Sequence, residues 1–162
     1  MEYLNLLEST SEQVRAQAEG NSVVVSPTHV AAALSGKAHE VISVAGYPTG
    51  RHHSLIKASE ARLAVYTGAT EIWLAVDPQL EDSNELLSEL VAVREACPQP
   101  VKLALIATNQ AAVDAAEFAG FQRIVLHHAK REKAEPTDSA APAKPAQGVR
   151  SALPTVDFDF SG

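Results

Sequence analysis

One cysteine, one tryptophan and one methionine occur in 162 residues. The single thiol, Cys97, excludes an intrachain disulfide and a cysteine metal cluster. Its place before Pro98, with no basic residue next to it in sequence, fits an incidental thiol rather than a reactive nucleophile. No apolar run approaches the ~18 residues that a membrane-spanning helix needs. The opening MEYLNLLESTSE lacks the basic start and long apolar core of a signal peptide, so a cytoplasmic location without membrane contact is expected. Positive charge is also short: 13 Lys and Arg face 20 Asp and Glu, for a net charge of −7. Residues 1–128 hold 15 of the acids and 8 of the bases, whereas residues 129–162 hold five of each. An acidic folded part does not suit non-specific binding to nucleic acid. A phosphate loop of the G-K-[ST] type and a helical H-x-x-x-H pair are absent as well.

Residues 1–128 alternate short apolar runs with amphipathic segments. The runs are Tyr3–Leu7, Ser22–Val25, Val41–Ala45, Glu71–Val76, Val101–Ile106 and Arg123–Leu126. They are apolar on both faces, as strands of a parallel sheet covered by helices must be. Helix starts are legible between them. Ser9-Thr-Ser-Glu12 and Asp82-Ser-Asn-Glu85 read as capping boxes, Ser26-Pro27 as an N-cap before a first-turn proline, and Thr108 or Asn109 as a further cap. Gly68 and Gly120 read as helix stops. In the helix from about Ser54 to Tyr66, Leu55, Ala58, Ala61, Leu63 and Val65 form the expected inner stripe, and Lys57 and Glu60 read as a solvated surface pair. The expectation is an α/β domain over 1–128, a (βα)5β unit with right-handed crossovers. The remainder, 129–162, reads as a tail. Its Ala, Pro, Lys and Glu over 129–149 cannot bury enough surface to offset chain entropy, so disorder is expected there. The tail closes on Leu153–Phe160, LPTVDFDF, either a solvated terminus or a docking motif for another protein or an exposed edge of the chain's own sheet.

Several segments carry a further pattern. Val44 to Asp77 reads VAGYPTGRHHSLIKASEARLAVYTGATEIWLAVD. Its Gly46-Tyr47-Pro48-Thr49-Gly50 turn, its Lys57, Glu60 and Ala61, and its Gly68-Ala69-Thr70-Glu71-Ile72 match V-x-G-F-P-x-G, K-x-x-E-A and G-A-x-E-I-D-M-V in order and spacing. Val23-Val-Val-Ser-Pro matches V-C-V-x-P, Val101-Lys102-Leu103 matches L-K-V, and Ala119-Gly120 precedes the sixth strand as in A-G-A-D-F. Over residues 3–128 the chain resembles the deoxyribose-phosphate aldolase family. The resemblance implies a TIM-barrel-like fold, incomplete because a full (β/α)8 barrel usually takes about 200–250 residues. It also implies class I aldol chemistry: a Schiff-base lysine on strand six, a proton-transferring aspartate on strand four, a second lysine, and phosphate loops after strands seven and eight.

Residue by residue, that apparatus is not matched. The aspartate position is Trp73, a glutamate position at the end of strand five is Ile106, and the Schiff-base position is Val125; the nearest lysine beyond that strand is Lys130. Lys102 alone is retained. Indole donates one hydrogen bond and cannot move a proton at neutral pH. Six residues are expected to gather on the C-terminal face, where barrel sites lie: His29, His52, His53, Asp77, His127 and His128. These types can ligate metals, but loop placement and the alternation of neighbours along a strand argue against convergence, so no metal and no cofactor are expected. A Trp facing inward would fill the space that a substrate needs. The sequence therefore points to a non-catalytic binding or interaction protein. A homo-oligomer or a protein partner would cover the open barrel edges. The competing readings are a lyase-like enzyme of altered chemistry, acting on a small aldehyde or sugar phosphate through C-terminal-face His or Lys, and a poorly folding gene product.

Overall fold

The computed structural model describes residues 2–127 and 148–161. Among them are seven strands: β1 Tyr3–Asn5, β2 Ser22–Val25, β3 Glu40–Ala45, β4 Glu71–Leu74, β5 Lys102–Ile106, β6 Arg123–His127 and β7 Thr155–Phe158. The helices are α1 Ser11–Gln17, α2 Val30–Ser35 with a 3-10 turn Pro27–His29 before it, α3 Ser54–Thr67, α4 Ser83–Ala96 and α5 Gln110–Ala119. The strands lie in sequence order in one sheet, and every neighbouring pair is parallel. The sheet curls into a nearly closed barrel. Across the gap between its first and last strands, the Asn5 side-chain amide donates to the Asp159 carbonyl at 2.9 Å.

Six strands were expected, and the seventh is the correction. Leu153–Phe160 is not a solvated terminus: Ile124 N–H donates to Pro154 O, and Val125 faces Val156 in parallel register. The alternative reading, docking on the chain's own sheet edge, is what the structure adopts. Val156, Phe158 and Phe160 alternate with polar residues, as a strand with one buried face must. The disorder expected over 129–149 lies almost wholly outside the described residues, as does His128.

Two apolar cores follow from the period-2 alternation of the strands. Val23, Val25, Val41, Ile72, Leu74, Leu103, Leu105 and Ile124 point outward and pack against the helices. Val24, Ile42, Val44, Trp73, Ala104, Val125 and Phe158 point into the barrel, with Tyr3, Tyr47, Ile106, Val156 and Phe160 packed against them. Both faces of the strands are thus buried, which explains runs such as Ser22–Val25 that show no polar alternation.

Helix ends agree with the sequence reading in kind more than in place. The first capping box is Thr10 with Gln13, one residue later than expected. Asp82 accepts from the N–H groups of Asn84 and Glu85, and Asn109, not Thr108, caps α5. Ser26 precedes the proline turn, yet its hydroxyl donates to Leu7 O instead of capping.

The inner stripe expected for α3 is half wrong. Ala58, Ala61 and Ala64 face the barrel, whereas Leu55 and Leu63 face outward. Lys57 and Glu60 are not a solvated pair either. Lys57 is only 1% exposed, and its ammonium donates to Gly50 O and to Glu89 Oε2, both at 2.7 Å. Glu60 Oε1 accepts the Gly46 N–H at 2.8 Å. Two side chains one helical turn apart therefore clamp both ends of the Gly46–Gly50 turn.

Candidate functional site

The turn is tight for a backbone reason. Gly50 has φ +72°, and a Cβ there would lie 2.2 Å from the Val76 carbonyl oxygen. Only glycine fits such an approach. The turn holds Tyr47 over the C-terminal mouth of the barrel, stacked on Phe160 at 5.3 Å between ring centroids. Burial pushes the Tyr47 hydroxyl pKa upward, and Glu8 adds to the rise.

Below Tyr47 the interior is filled with aromatic rings. Trp73 is fully buried and meets Phe158 edge-on at 4.9 Å, Tyr3 at 5.6 Å and Phe160 at 6.2 Å. Its indole N–H donates to Glu71 Oε2 at 2.9 Å. Glu71, two residues earlier on the same inward face, is bound by the Arg123 guanidinium at 2.7 Å, and Arg123 donates to the Tyr3 hydroxyl at 2.9 Å. Burial alone would lower the Arg123 pKa, but hydrogen bonds to Glu71 and Tyr3 and the Glu71 charge together raise it. This network closes the N-terminal end of the barrel. It ties β1, β4 and β6 together through side chains, and nothing in the local sequence announces it.

The positions singled out by the resemblance share this interior. Trp73 and Val125 belong to the inner core, and Ile106 packs on it. Lys102 shares the inward side of β5 with Ala104 and Ile106 but lies at the other end of the strand. It is the first residue of β5, paired in register with Glu71, and it is exposed at the N-terminal mouth. Parallel strands all start at one end, so Lys102 cannot reach the C-terminal mouth where the histidines were placed.

The C-terminal-face residues do not converge. Among the described residues, no three His, Cys, Asp or Glu side chains come together as a metal set would require. His53 caps α3 through Nδ1, accepting from Leu55 N–H at 3.1 Å, and His52 is exposed beside it. His29 ends the 3-10 turn after β2. Asp77 accepts from Gln79 N–H and pairs with Arg51, and these contacts, the backbone bond first, hold its carboxyl below the usual range. His127 Nδ1 accepts the Phe160 N–H at 3.3 Å, so it serves the tail. Cys97 is buried at the end of α4, and burial pushes its thiol up. Arg94, absent from the sequence reading of this cysteine, lies next to it and donates to the Cys97 carbonyl at 2.7 Å.

Polar contacts outside the barrel fasten the tail. Gln110 exchanges two hydrogen bonds with Arg150, and Glu117 accepts from Ser151 Oγ at 2.6 Å and from Ala152 N–H at 2.9 Å. The Ser151 bond first, then the Ala152 bond, holds the Glu117 carboxyl below its ordinary range. A carboxylate whose folded pKa is depressed contributes its stabilisation above the unfolded pKa and loses it as pH falls through the folded one. Docking of 150–154 should therefore weaken only in acid, as pH falls below the ordinary carboxylate range. Amide exchange at Ile124, corrected for intrinsic rate, should speed up there in the native chain, and Glu117→Gln should abolish the acid dependence.

No protein-family model matches the chain. Individual relatives do. It is 48% identical over 80 residues to the deoxyribose-phosphate aldolase of Corynebacterium glutamicum, a match covering 45% of this chain and 36% of that one. To the deoxyribose-phosphate aldolase of Nocardia farcinica it is 31% identical over 163 aligned positions, covering 87% of this chain and 72% of that one. In structure it resembles the tetrameric deoxyribose-phosphate aldolase of Aeropyrum pernix, with a TM-score of 0.61 and 21% identity over 76% of this chain and 60% of that one. With the Nocardia match spanning most of both chains, and the fold shared with the Aeropyrum structure, the chain belongs to the deoxyribose-phosphate aldolase family.

Proposed function

We propose that this chain is a non-catalytic member of its family and acts by binding, as a cytoplasmic interaction or regulatory protein. One observation carries the reading: the barrel interior is occupied by Trp73 and, from the chain's own C-terminal segment, by Phe158 and Phe160. The residues of β6 on the inward face are Arg123, Val125 and His127, by their register with Ala104, Ile106 and Phe158. None is an amine able to form a Schiff base, because a guanidinium stays protonated at any working pH. Catalytic groups that act as a unit lose most of their effect together. A chain without the nucleophile and without the proton-transferring acid keeps the scaffold and not the reaction. The tetramer of the Aeropyrum enzyme supports assembly of this scaffold with copies of itself.

The test is chemical trapping. Pure protein is mixed with deoxyribose 5-phosphate and borohydride and its intact mass is measured. The expected result is the unmodified mass. A stoichiometric adduct at any lysine would overturn the proposal.

A further inference from the structure

The barrel does not close on itself. β1 and β7 are the two ends of the sheet and do not pair with each other. A strand's backbone groups point alternately to its two neighbours. On β1, Leu6 N–H donates to Val24 O, so Leu4 and Leu6 serve β2, and the N–H and C=O groups of Tyr3 and Asn5 face the gap. On β7, Ile124 N–H donates to Pro154 O, so Val156 and Phe158 serve β6, and those of Thr155 and Asp157 face the gap. Among the described residues these four sets of backbone groups have no partner. One side chain shows how wide the gap is. At its C-terminal end Asn5 Oδ1 accepts the Leu7 N–H at 3.0 Å, and Asn5 Nδ2 donates to Asp159 O at 2.9 Å. A single planar amide thus accepts from one edge and donates to the other, as a peptide group of an intervening strand would.

We infer that the gap between β1 and β7 is a docking slot for an extended segment of a partner protein, added as a strand parallel to both, with small side chains turned inward and lysine or arginine turned outward. This rests on the interaction reading above and gives the partner's chemistry. Backbone geometry sets the alternation. A residue level with Val156 would donate to Thr155 O and accept from Asp157 N–H, and the next would donate to Tyr3 O and accept from Asn5 N–H. The first then points inward, like Val156, and the second outward, like Leu4. Size decides the inward position. Tyr3, Trp73 and Phe158 already fill that layer, which leaves room for glycine, alanine or serine. Charge decides the outward one. It lies between Leu4 and Asp157, and Asp157 is exposed and makes no ion pair among the described residues. Glu2 before β1 and Asp159 after β7 add negative charge at the two ends. Of the nearby cations, Arg123 holds Glu71 from inside, and Arg150 lies where the backbone is fastened to Gln110 of α5. A lysine or arginine there sets its stem on Leu4 and its head at Asp157. The chain's own β7 is the wrong occupant on both counts, because it would bring phenylalanine inward and aspartate outward.

Fluorescence anisotropy on the full chain tests the inference. The probe is a labelled, blocked peptide that alternates lysine with alanine over about seven residues, enough to cross the slot. Saturable binding is expected, and amide exchange at Asp157 and Asn5 should slow when the peptide is added. The same peptide with N-methylated alanines keeps its charge and loses the inward donors, so it should bind at least about tenfold more weakly. Phenylalanine in place of alanine should weaken binding as well, for want of space. Asp157→Lys, at an exposed position, should weaken it by at least about threefold. Glu95→Lys makes the same change of charge on α4, which follows the middle strand β4 on the far side of the barrel, and should leave binding intact. Absence of saturable binding overturns the inference. So does equal affinity for the N-methylated peptide, or an equal loss from Asp157→Lys and Glu95→Lys, since either would show attraction by charge alone. Protection of the Asp157 and Asn5 amides that rises with protein concentration and without peptide would give the slot to a second copy and overturn the choice of partner. Borohydride trapping stands apart: an adduct there sinks the non-catalytic reading without touching the slot.

Discussion

Replacing Trp73 by alanine should lower the free energy of unfolding by about 3–5 kcal/mol, as for other fully buried large aromatics. For a domain whose total stability is of order 5–15 kcal/mol, such a loss brings it close to unfolding at room temperature. The magnitude follows from the surroundings. The indole lies among Tyr3, Phe158 and Phe160 and gives its N–H to Glu71, so its removal opens a cavity between strands that cannot collapse. Urea unfolding followed by circular dichroism would read the shift in midpoint. Trp73→Asp, which installs the residue implied by the family resemblance, should be no milder. It sets a carboxylate on the same inward face as Glu71, in an apolar cluster of Val44, Ala104 and Val125, with no cation of its own. An aspartate variant that equals the native chain in stability would refute the view of Trp73 as the centre of the inner core.

Lys57→Ala is expected to cost about 3–5 kcal/mol as well, for an electrostatic reason. The ammonium donates to both Glu89 Oε2 and the Gly50 carbonyl, and its removal leaves these two acceptors, among the described residues, without that donor in a largely buried setting. The loss should be largely relieved when Glu89 is neutralised too, so a double-mutant cycle with Glu89→Gln should give a coupling of ~1–3 kcal/mol. The local signature is separable from the global one: exchange at the Gly46 and Gly50 amides should quicken first, since Lys57 holds one end of that turn and Glu60 the other. Additive single-variant losses would show that Lys57 acts by packing its stem alone.

How much of this was readable beforehand depends on the kind of information involved. Strands β2 to β6 were legible to within a residue or two because continuous β-branched and aliphatic runs bounded by turns have few other uses. Family membership was legible because the glycines of the Gly46–Gly50 turn and at Gly68 sit where the backbone allows little else. The seventh strand announced itself only through Val156, Phe158 and Phe160 at every second position, a signal too short to outweigh the polar composition around it. The roles of Lys57 and Glu60 were hidden for a different reason. A lysine and a glutamate three residues apart look alike on a solvated helix and on one that grips a neighbouring turn; what distinguishes them is the position of Gly46, Gly50 and Glu89 in space. The same holds for the outward Leu55 and Leu63. Hydrophobicity says that a residue seeks burial, not whether the partner belongs to the same molecule.

The lone tryptophan has one more consequence. With a single indole in the chain, ultraviolet emission excited near 295 nm comes from one site at the axis of the barrel, walled by Phe158 and Phe160 and bonded to a carboxylate. Native protein should emit at the blue end of the tryptophan range and resist quenching by acrylamide. Because two of the walls come from the C-terminal segment, any event that lifts that segment away, by a partner, by acid or by substitution, would be written directly into the colour of the emitted light.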